Sequence, residues 1–240
     1  YVGPGVLASA LGMDKHYTKM VMRDAGLPVA RQVLVTKSEF DNDSQSLLDE
    51  CESLGLPVFV KPCRAGSSLG VERVASWDAL ESAILRAHQH DPRVLVEEAI
   101  AGREIECAEI GGSENRGPRV APIGEVLMQS EDSDFYDFET KYFDTEGFSM
   151  ECPANLPSDV SEQIQRAAKQ AFDALTCEGL TRVDFFLQDN GSFVVNEVNT
   201  LPGFTPYSMF PLMWSEGGLS YTELVTELLE LALERPVGLR

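Results

Sequence analysis

Hydrophobic and polar positions recur along this chain with two periods, and each period marks a different kind of element. Over residues 14–25, Tyr17, Met20, Val21 and Ala25 keep helical spacing. Asp14 is placed to cap that helix, Gly26 ends it and Pro28 follows. Further helical patterns close at Gly55, cover 77–88 on a Trp77, Leu80, Ala83, Ile84, Ala87 face, and cover 222–233. Another covers 160–175, with Asp159 and Glu162 as start signals and Ile164, Ala168, Phe172 and Leu175 as its stripe. Short β-rich runs lie at 32–35, 58–60, 94–96, 104–110 and 120–127. Between them, 129–148 is polar and irregular, a length of loop that is usually functional or disordered.

The stretch TRVDFFLQDNGSFVVNEVN, residues 181–199, reads as a β-hairpin around Asn190-Gly191, the strongest short-range hairpin signal. With those two as the loop, Asp189 lies opposite Ser192, Asp184 opposite Glu197, and Arg182 opposite Asn199. Side chains alternate with period 2, so these last four share one face, with Phe186 and Val195 next along it. A three-residue loop with a bulge would shift the register by one and break that geometry. Two carboxylates directly opposite each other repel. Asp184, Glu197 and Asn199 are three hard oxygen donors, and a divalent cation between them would turn repulsion into coordination; a solvated hairpin face is the even-handed alternative.

The mixture of strands and helices, with an antiparallel hairpin, predicts an α+β fold. Two lobes are expected to meet near residue 96, spanning 1–95 and 96–240.

Composition narrows the partners. The 240 residues are 43% hydrophobic, enough for a substantial core, and 19 basic against 39 acidic residues give a net charge of -20. That balance disfavours duplex nucleic acid and anionic membrane surfaces. It leaves room for a local basic pocket. No apolar run reaches the ~18 residues of a membrane span. Five dispersed cysteines read as buried thiols in a reducing compartment. The three histidines form no ligand pattern.

Three more segments carry candidate chemistry. In VKPCRAGSSLGV a strand delivers Lys61 and then a flexible loop of Gly66, Ser67, Ser68 and Gly70. Backbone N–H groups and hydroxyls of such a loop can cradle phosphate, although the lysine precedes the glycines and this is no Walker A motif. Glu97 and Glu104 flank EAIAG at a strand end, where acids can meet an exocyclic amine or ribose hydroxyls, or solvent alone. FYDFETKYF, 135–143, sets Lys141 and tyrosines in an acidic loop that reads as a lid, or as a loop packing its own aromatics. Together these parts suit phosphoryl transfer, which needs positioning and charge stabilisation.

GPGVLASALGMDKHYTK, VKPCRAGSSLGV, FYDFETKY, TRVDFF and NEVNTLPGFTPYSMFP, in this order and spacing, resemble the D-alanine–D-alanine ligases of the ATP-grasp superfamily. The resemblance covers nearly the whole chain. It implies two α+β lobes enclosing ATP, and ligation of two D-alanines through an acyl phosphate for peptidoglycan precursor synthesis. Lys15 and Lys61 would hold phosphates, with Ser68 in the phosphate loop. Glu97, Ala99 and Ile100 would meet adenine, Glu104 the ribose, and Lys141 the γ-phosphate. Asp184, Glu197 and Asn199 would bind two Mg²⁺, with Mn²⁺ as a substitute. Arg182 and the Gly203 N–H would stabilise the oxyanion. Ser208 and the Met209 N–H would take the second D-alanine. Ser67, Tyr136 and Tyr142 would close the lid, and Tyr142 favours D-alanine over D-serine or D-lactate.

The family carries an N-terminal α/β domain with a glutamate that orients the first D-alanine, and this sequence begins where that domain should end. The resemblance also implies a cytoplasmic protein, homodimeric largely through that domain. Two alternatives stay open: a D-alanine–D-serine or D-alanine–D-lactate ligase, and a non-catalytic nucleotide-binding fragment.

Overall fold

The structure, a computed structural model, describes residues 1–112, 117–128, 148–205 and 207–235. The chain runs α1 (Val6–Met13), α2 (Lys15–Asp24), β1 (Gln32–Thr36), α3 (Lys37–Asn42), α4 (Ser44–Glu52), β2 (Val58–Pro62), β3 (Glu72–Val74), α5 (Leu80–Ala87) and β4 (Arg93–Glu98). It continues through β5 (Arg103–Gly111), β6 (Arg119–Val120), β7 (Gly124–Met128), β8 (Phe148–Glu151), α6 (Ser158–Ala174), β9 (Gly179–Leu187), β10 (Phe193–Asn199), α7 (Met209–Glu216) and α8 (Tyr221–Glu234).

Local chemistry explains several boundaries. The Asp14 carboxylate accepts from the N–H groups of His16 and Tyr17, capping α2 as expected. Ser220 and Glu223 form a capping box on α8. The strand expected over 120–127 is two strands, because Pro122 has no N–H for a ladder and breaks the run. In α2 the buried residues are Thr18, Lys19 and Met22, whereas Tyr17 and Met20 stand exposed. The apolar stripe expected there is therefore turned, because the inward face includes a lysine.

Two antiparallel sheets form the frame. The first has strand order β1-β4-β2-β3. Val33, Val35, Val58, Val60, Val94 and Val96 point one way and pack with Phe40, Leu54 and the α5 face. Alternation sends Phe59, Lys61 and Glu97 to the opposite face. Glu97 lies opposite Phe59 and Lys61 opposite Leu95, so Lys61 and Glu97 are diagonal neighbours within reach of long side chains.

The second sheet has order β10-β9-β5-β7-β8, with β6 paired to β5. One face packs α6 through Ile164, Ala168 and Phe172, and the other packs α7 and α8 through Phe210, Met213 and Leu224. The first sheet runs on through β4 to Glu98, and Ala8, Met22 and Leu27 from the start of the chain belong to the second core. Among the described residues no helix is long and apolar enough to cross a membrane.

The hairpin reaches its expected pairs by an unexpected route. Its connection has three residues, Asp189 to Gly191: Gln188 and Ser192 close it through a 2.8 Å N–H···O bond, and Gly191 takes a left-handed φ of 83°. That shifts the near half by one, so Val195 faces Phe185 and Val194 faces Phe186. A bulge between Val195 and Glu197 then absorbs Asn196 and restores the offset, leaving Glu197 opposite Asp184 and Asn199 opposite Arg182. The expected sharing of a face by Phe186 and Val195 is corrected: Val195 is buried in the α6-side core, whereas Phe186 lines the cleft between the sheets.

Candidate active site

A cleft of about 730 Å³ lies between the two sheets. Lys15, Lys61, Ser67, Ser68, Glu97 and Glu104 line it, as do Ala99, Ile100 and Glu197. The sequence-derived nucleotide contacts among the described residues are thus gathered around one cavity. Lys141, Tyr136 and Tyr142 lie outside the described residues.

The first sheet supplies a basic wall. Lys61 Nζ donates to Glu97 Oε1 at 2.6 Å, and Lys19 pairs with the other oxygen, Oε2. Burial alone would raise the Glu97 carboxyl, but the attraction of Lys19 and Lys61 outweighs it and holds the group down to about 2. Burial lowers Lys19 to about 8; the Glu97 carboxylate pulls it back up, and the Lys61 ammonium pushes it further down. One acid serving two ammonium groups gains from both, whereas each ammonium gains from a shared partner. Lys19 escaped the sequence reading. The signal was its i+4 spacing from Lys15, which puts both on one helix face.

The phosphate-loop candidate follows Lys61. Lys15 Nζ donates to the Ala65 carbonyl at 2.6 Å. Arg64 makes a two-pronged contact with Asp91, 2.9 Å from Nε and 2.7 Å from Nη2, which anchors the start of the loop. Ser67 and Ser68 hold left-handed φ values of 52° and 60°. Each costs about 1–2 kcal/mol for a residue with a Cβ, a strain that collects where backbone must face a ligand.

The second sheet carries an acidic row, of which Glu197 lines the cleft, whereas Glu106, Arg182, Asp184 and Asn199 are not among its lining residues. Glu106, Asp184 and Glu197 are cross-strand neighbours on β5, β9 and β10. Arg182 reaches Asp184 through two 2.7 Å bonds and lies 3.1 Å from Glu106. Burial opposes the Arg182 charge, but Asp184 and Glu106, with Glu197 beyond, hold it well above its ordinary value. The Asn199 amide donates to Asp184 at 2.8 Å. Glu106 was also missed by the sequence reading, because only the pairing of β5 with β9 brings it beside Arg182.

These donors suit Mg²⁺ by their chemistry. By formal charge the row holds three carboxylates against one guanidinium, an excess that a divalent cation would neutralise. No three His, Cys, Asp or Glu among the described residues form a metal cage by themselves. Mg²⁺ is commonly held by one or two carboxylates and completed by phosphate oxygens and water.

Ser208 and Met209 sit at the start of α7 and Gly203 in the segment before it, and none of the three is among the residues lining the cleft. Ser208 Oγ accepts the Thr205 N–H at 3.0 Å, and a Cβ on Gly203 would lie 2.9 Å from that oxygen. The Met209 side chain is buried against Gly124, so only its backbone could serve a ligand.

Residues 21–230 match the model of the D-ala D-ala ligase C-terminus. The chain belongs to the D-alanine–D-alanine ligase family. It is 48% identical over 240 residues to the D-alanine–D-alanine ligase of Arthrobacter sp. (strain FB24), covering 100% of this chain and 63% of that relative. It therefore spans less than two thirds of the length of that ligase. Among solved structures, a D-Ala:D-Ser ligase from Enterococcus faecalis superposes with a TM-score of 0.81 at 34% identity, over 96% of this chain and 64% of that one. The Bacillus anthracis D-alanine–D-alanine ligase complexed with ATP gives a TM-score of 0.80 at 30% identity, over 97% and 70%. The two antiparallel sheets around the cleft are those of the ATP-grasp fold, as the sequence resemblance implied.

Proposed function

We propose that the full-length protein joins two D-alanines at the expense of ATP, for peptidoglycan precursor synthesis. The observation that carries this reading is one cleft lined by Lys15 and Lys61 on one side and by Glu104 and Glu197 on the other, in a chain of the D-alanine–D-alanine ligase family. In this reading the lobes correspond to 1–95 and 96–240. Lys15, Lys61 and the Ser67–Ser68 loop hold the triphosphate. The backbone at Ala99 and Ile100 meets the adenine edge beside Glu97, and Glu104 takes the ribose hydroxyls.

Bound Mg²⁺, two ions in this reading, would neutralise phosphate charge beside Asp184, Glu197 and Asn199, the last through its oxygen after the amide turns over. The γ-phosphoryl group passes to a carboxylate oxygen of the first D-alanine, and ADP leaves. The amine of the second D-alanine attacks the resulting acyl carbon, loses a proton and expels inorganic phosphate. Arg182, preorganised by Asp184 and Glu106, stabilises the developing oxyanion with the Gly203 N–H. Ser208 and the Met209 N–H orient the second carboxylate. Lys141, Tyr136 and Tyr142 belong to the proposed lid and γ-phosphate contact. A cytoplasmic homodimer is the form we propose for the full-length protein.

The likeness to a D-Ala:D-Ser ligase keeps a second acceptor in view. Full-length protein given ATP, Mg²⁺, D-alanine and competing D-serine or D-lactate decides both points. Phosphate release with D-alanyl-D-alanine as the main product is expected. Absence of D-alanine-dependent phosphate release would overturn the ligase reading, and a mixed dipeptide or a D-alanyl-D-lactate ester would reassign the acceptor.

A further inference from the structure

Glu97 is set between Lys61 and Lys19, and the Glu197 carboxylate also attracts the buried Lys19 ammonium. Lys19 is 1% exposed, yet it is among the largest fully buried side chains of the molecule. Such a lysine is rare unless paired. It lies on α2, whose Met22 packs into the second core, while Glu97 and Lys61 belong to the first sheet. The Lys19–Glu97 pair thus crosses from one lobe to the other.

The charge count at this point has a consequence for the cleft. A carboxylate facing Lys61 alone, 2.6 Å away, would form a neutral pair and cancel the charge that Lys61 presents to the cavity. With Lys19 on the second oxygen, the trio carries one net positive charge. A buried charge is poorly screened, so the field acts across the cleft floor.

We propose that Lys19 is a positioning residue for nucleotide phosphates: by neutralising Glu97 from behind, it leaves the Lys61 ammonium electrostatically available to the cleft. Lys19 itself makes no contact with the nucleotide in this scheme. The inference rests on the nucleotide reading given above, and its test separates the two.

Binding of an ATP analogue and of adenosine to the chain is measured by calorimetry in the presence of Mg²⁺, for wild type and for Lys19→Met, Lys19→Gln and Lys19→Arg. Lys19→Met is expected to weaken binding about tenfold, which is the scale of one lost unit charge several ångströms away at protein-like screening. Lys19→Arg keeps the charge and is expected to bind within about threefold of wild type. Adenosine carries no phosphate, so Lys19→Met is expected to bind it within about threefold of wild type. Lys19→Gln keeps a hydrogen-bond donor for Glu97 without the charge, and it reports where Lys19→Met does not fold.

Loss of ATP-analogue affinity with adenosine affinity kept supports the inference. A folded Lys19→Met or Lys19→Gln with wild-type affinity for the ATP analogue, or an equal loss for adenosine, overturns it. Wild-type protein that binds no nucleotide overturns the reading beneath it instead.

Discussion

The two charged clusters that reach the cleft at Lys61 and at Glu197 solve opposite problems with similar parts. On the first sheet one carboxylate, Glu97, sits between two ammonium groups. On the second, Arg182 lies within ion-pair distance of both Asp184 and Glu106, with Glu197 next across the ladder. Each group has opposite charge inside it and so can be buried, and each keeps a surplus of one sign. The difference teaches that burial and function are reconciled by deliberate imbalance. A perfectly neutral cluster would be easier to bury, but it would offer nothing to a polyphosphate on one side or a cation on the other.

The largest effect is expected where the acidic row depends on geometry as well as charge. Arg182→Lys keeps the positive charge and loses the planar fork that spans Asp184 through two bonds. Turnover of the full-length protein is expected to fall on the order of 10²-fold, with nucleotide affinity changed by less than about threefold. Steady-state phosphate release reads the first and calorimetry the second. A loss of affinity without loss of turnover would place Arg182 among the nucleotide contacts.

The basic wall should show its imbalance as stability. Glu97 is depressed from 4.5 to about 2 in the folded chain, so the unfolded state binds its proton first as pH falls. Its contribution is complete above about pH 4.5 and is lost progressively down to about pH 2. Glu97→Gln leaves two buried ammonium groups together and is expected to cost on the order of 3–5 kcal/mol at pH 7. The gap to wild type should narrow below pH 4.5. Denaturant titrations at pH 7 and pH 3.5 measure it, and a gap that stays constant would contradict the ion-pair account.

The smallest of these effects concerns the loop beside the basic wall. Gly70 has φ +70°, and a Cβ there would meet the His90 ring at 2.6 Å and Pro62 at 3.0 Å. Gly70→Ala is expected to destabilise by about 1–2 kcal/mol through left-handed strain and that contact. An unchanged denaturation midpoint would show that the loop relaxes freely.

What the sequence reveals divides along the line between local and distant chemistry. The Asp14 cap, the Gly55 stop and the α6 stripe of Ile164, Ala168 and Phe172 are local, and the structure keeps them. Lys61, Glu97 and the Ser67–Ser68 loop were legible because a strand end and a glycine-rich loop expose them together. Lys19 was hidden because apolar periodicity gives no weight to a lysine whose partner is 78 positions away. Glu106 was hidden because its neighbours come from another strand. The hairpin shows both sides at once. Asn190-Gly191 announces the turn, but the three-residue loop and the Asn196 bulge offset each other, so the correct pairing of Asp184 with Glu197 followed from a loop of the wrong length.

The claim that the acidic row exists to accept a cation is tested most directly by the Mg²⁺ dependence of nucleotide binding. An ATP analogue is titrated into wild type and Glu197→Gln, with and without Mg²⁺. Wild type should gain about tenfold or more in affinity from Mg²⁺, and Glu197→Gln should lose most of that gain while keeping its Mg²⁺-free affinity. The same Mg²⁺ gain in both proteins would contradict the account.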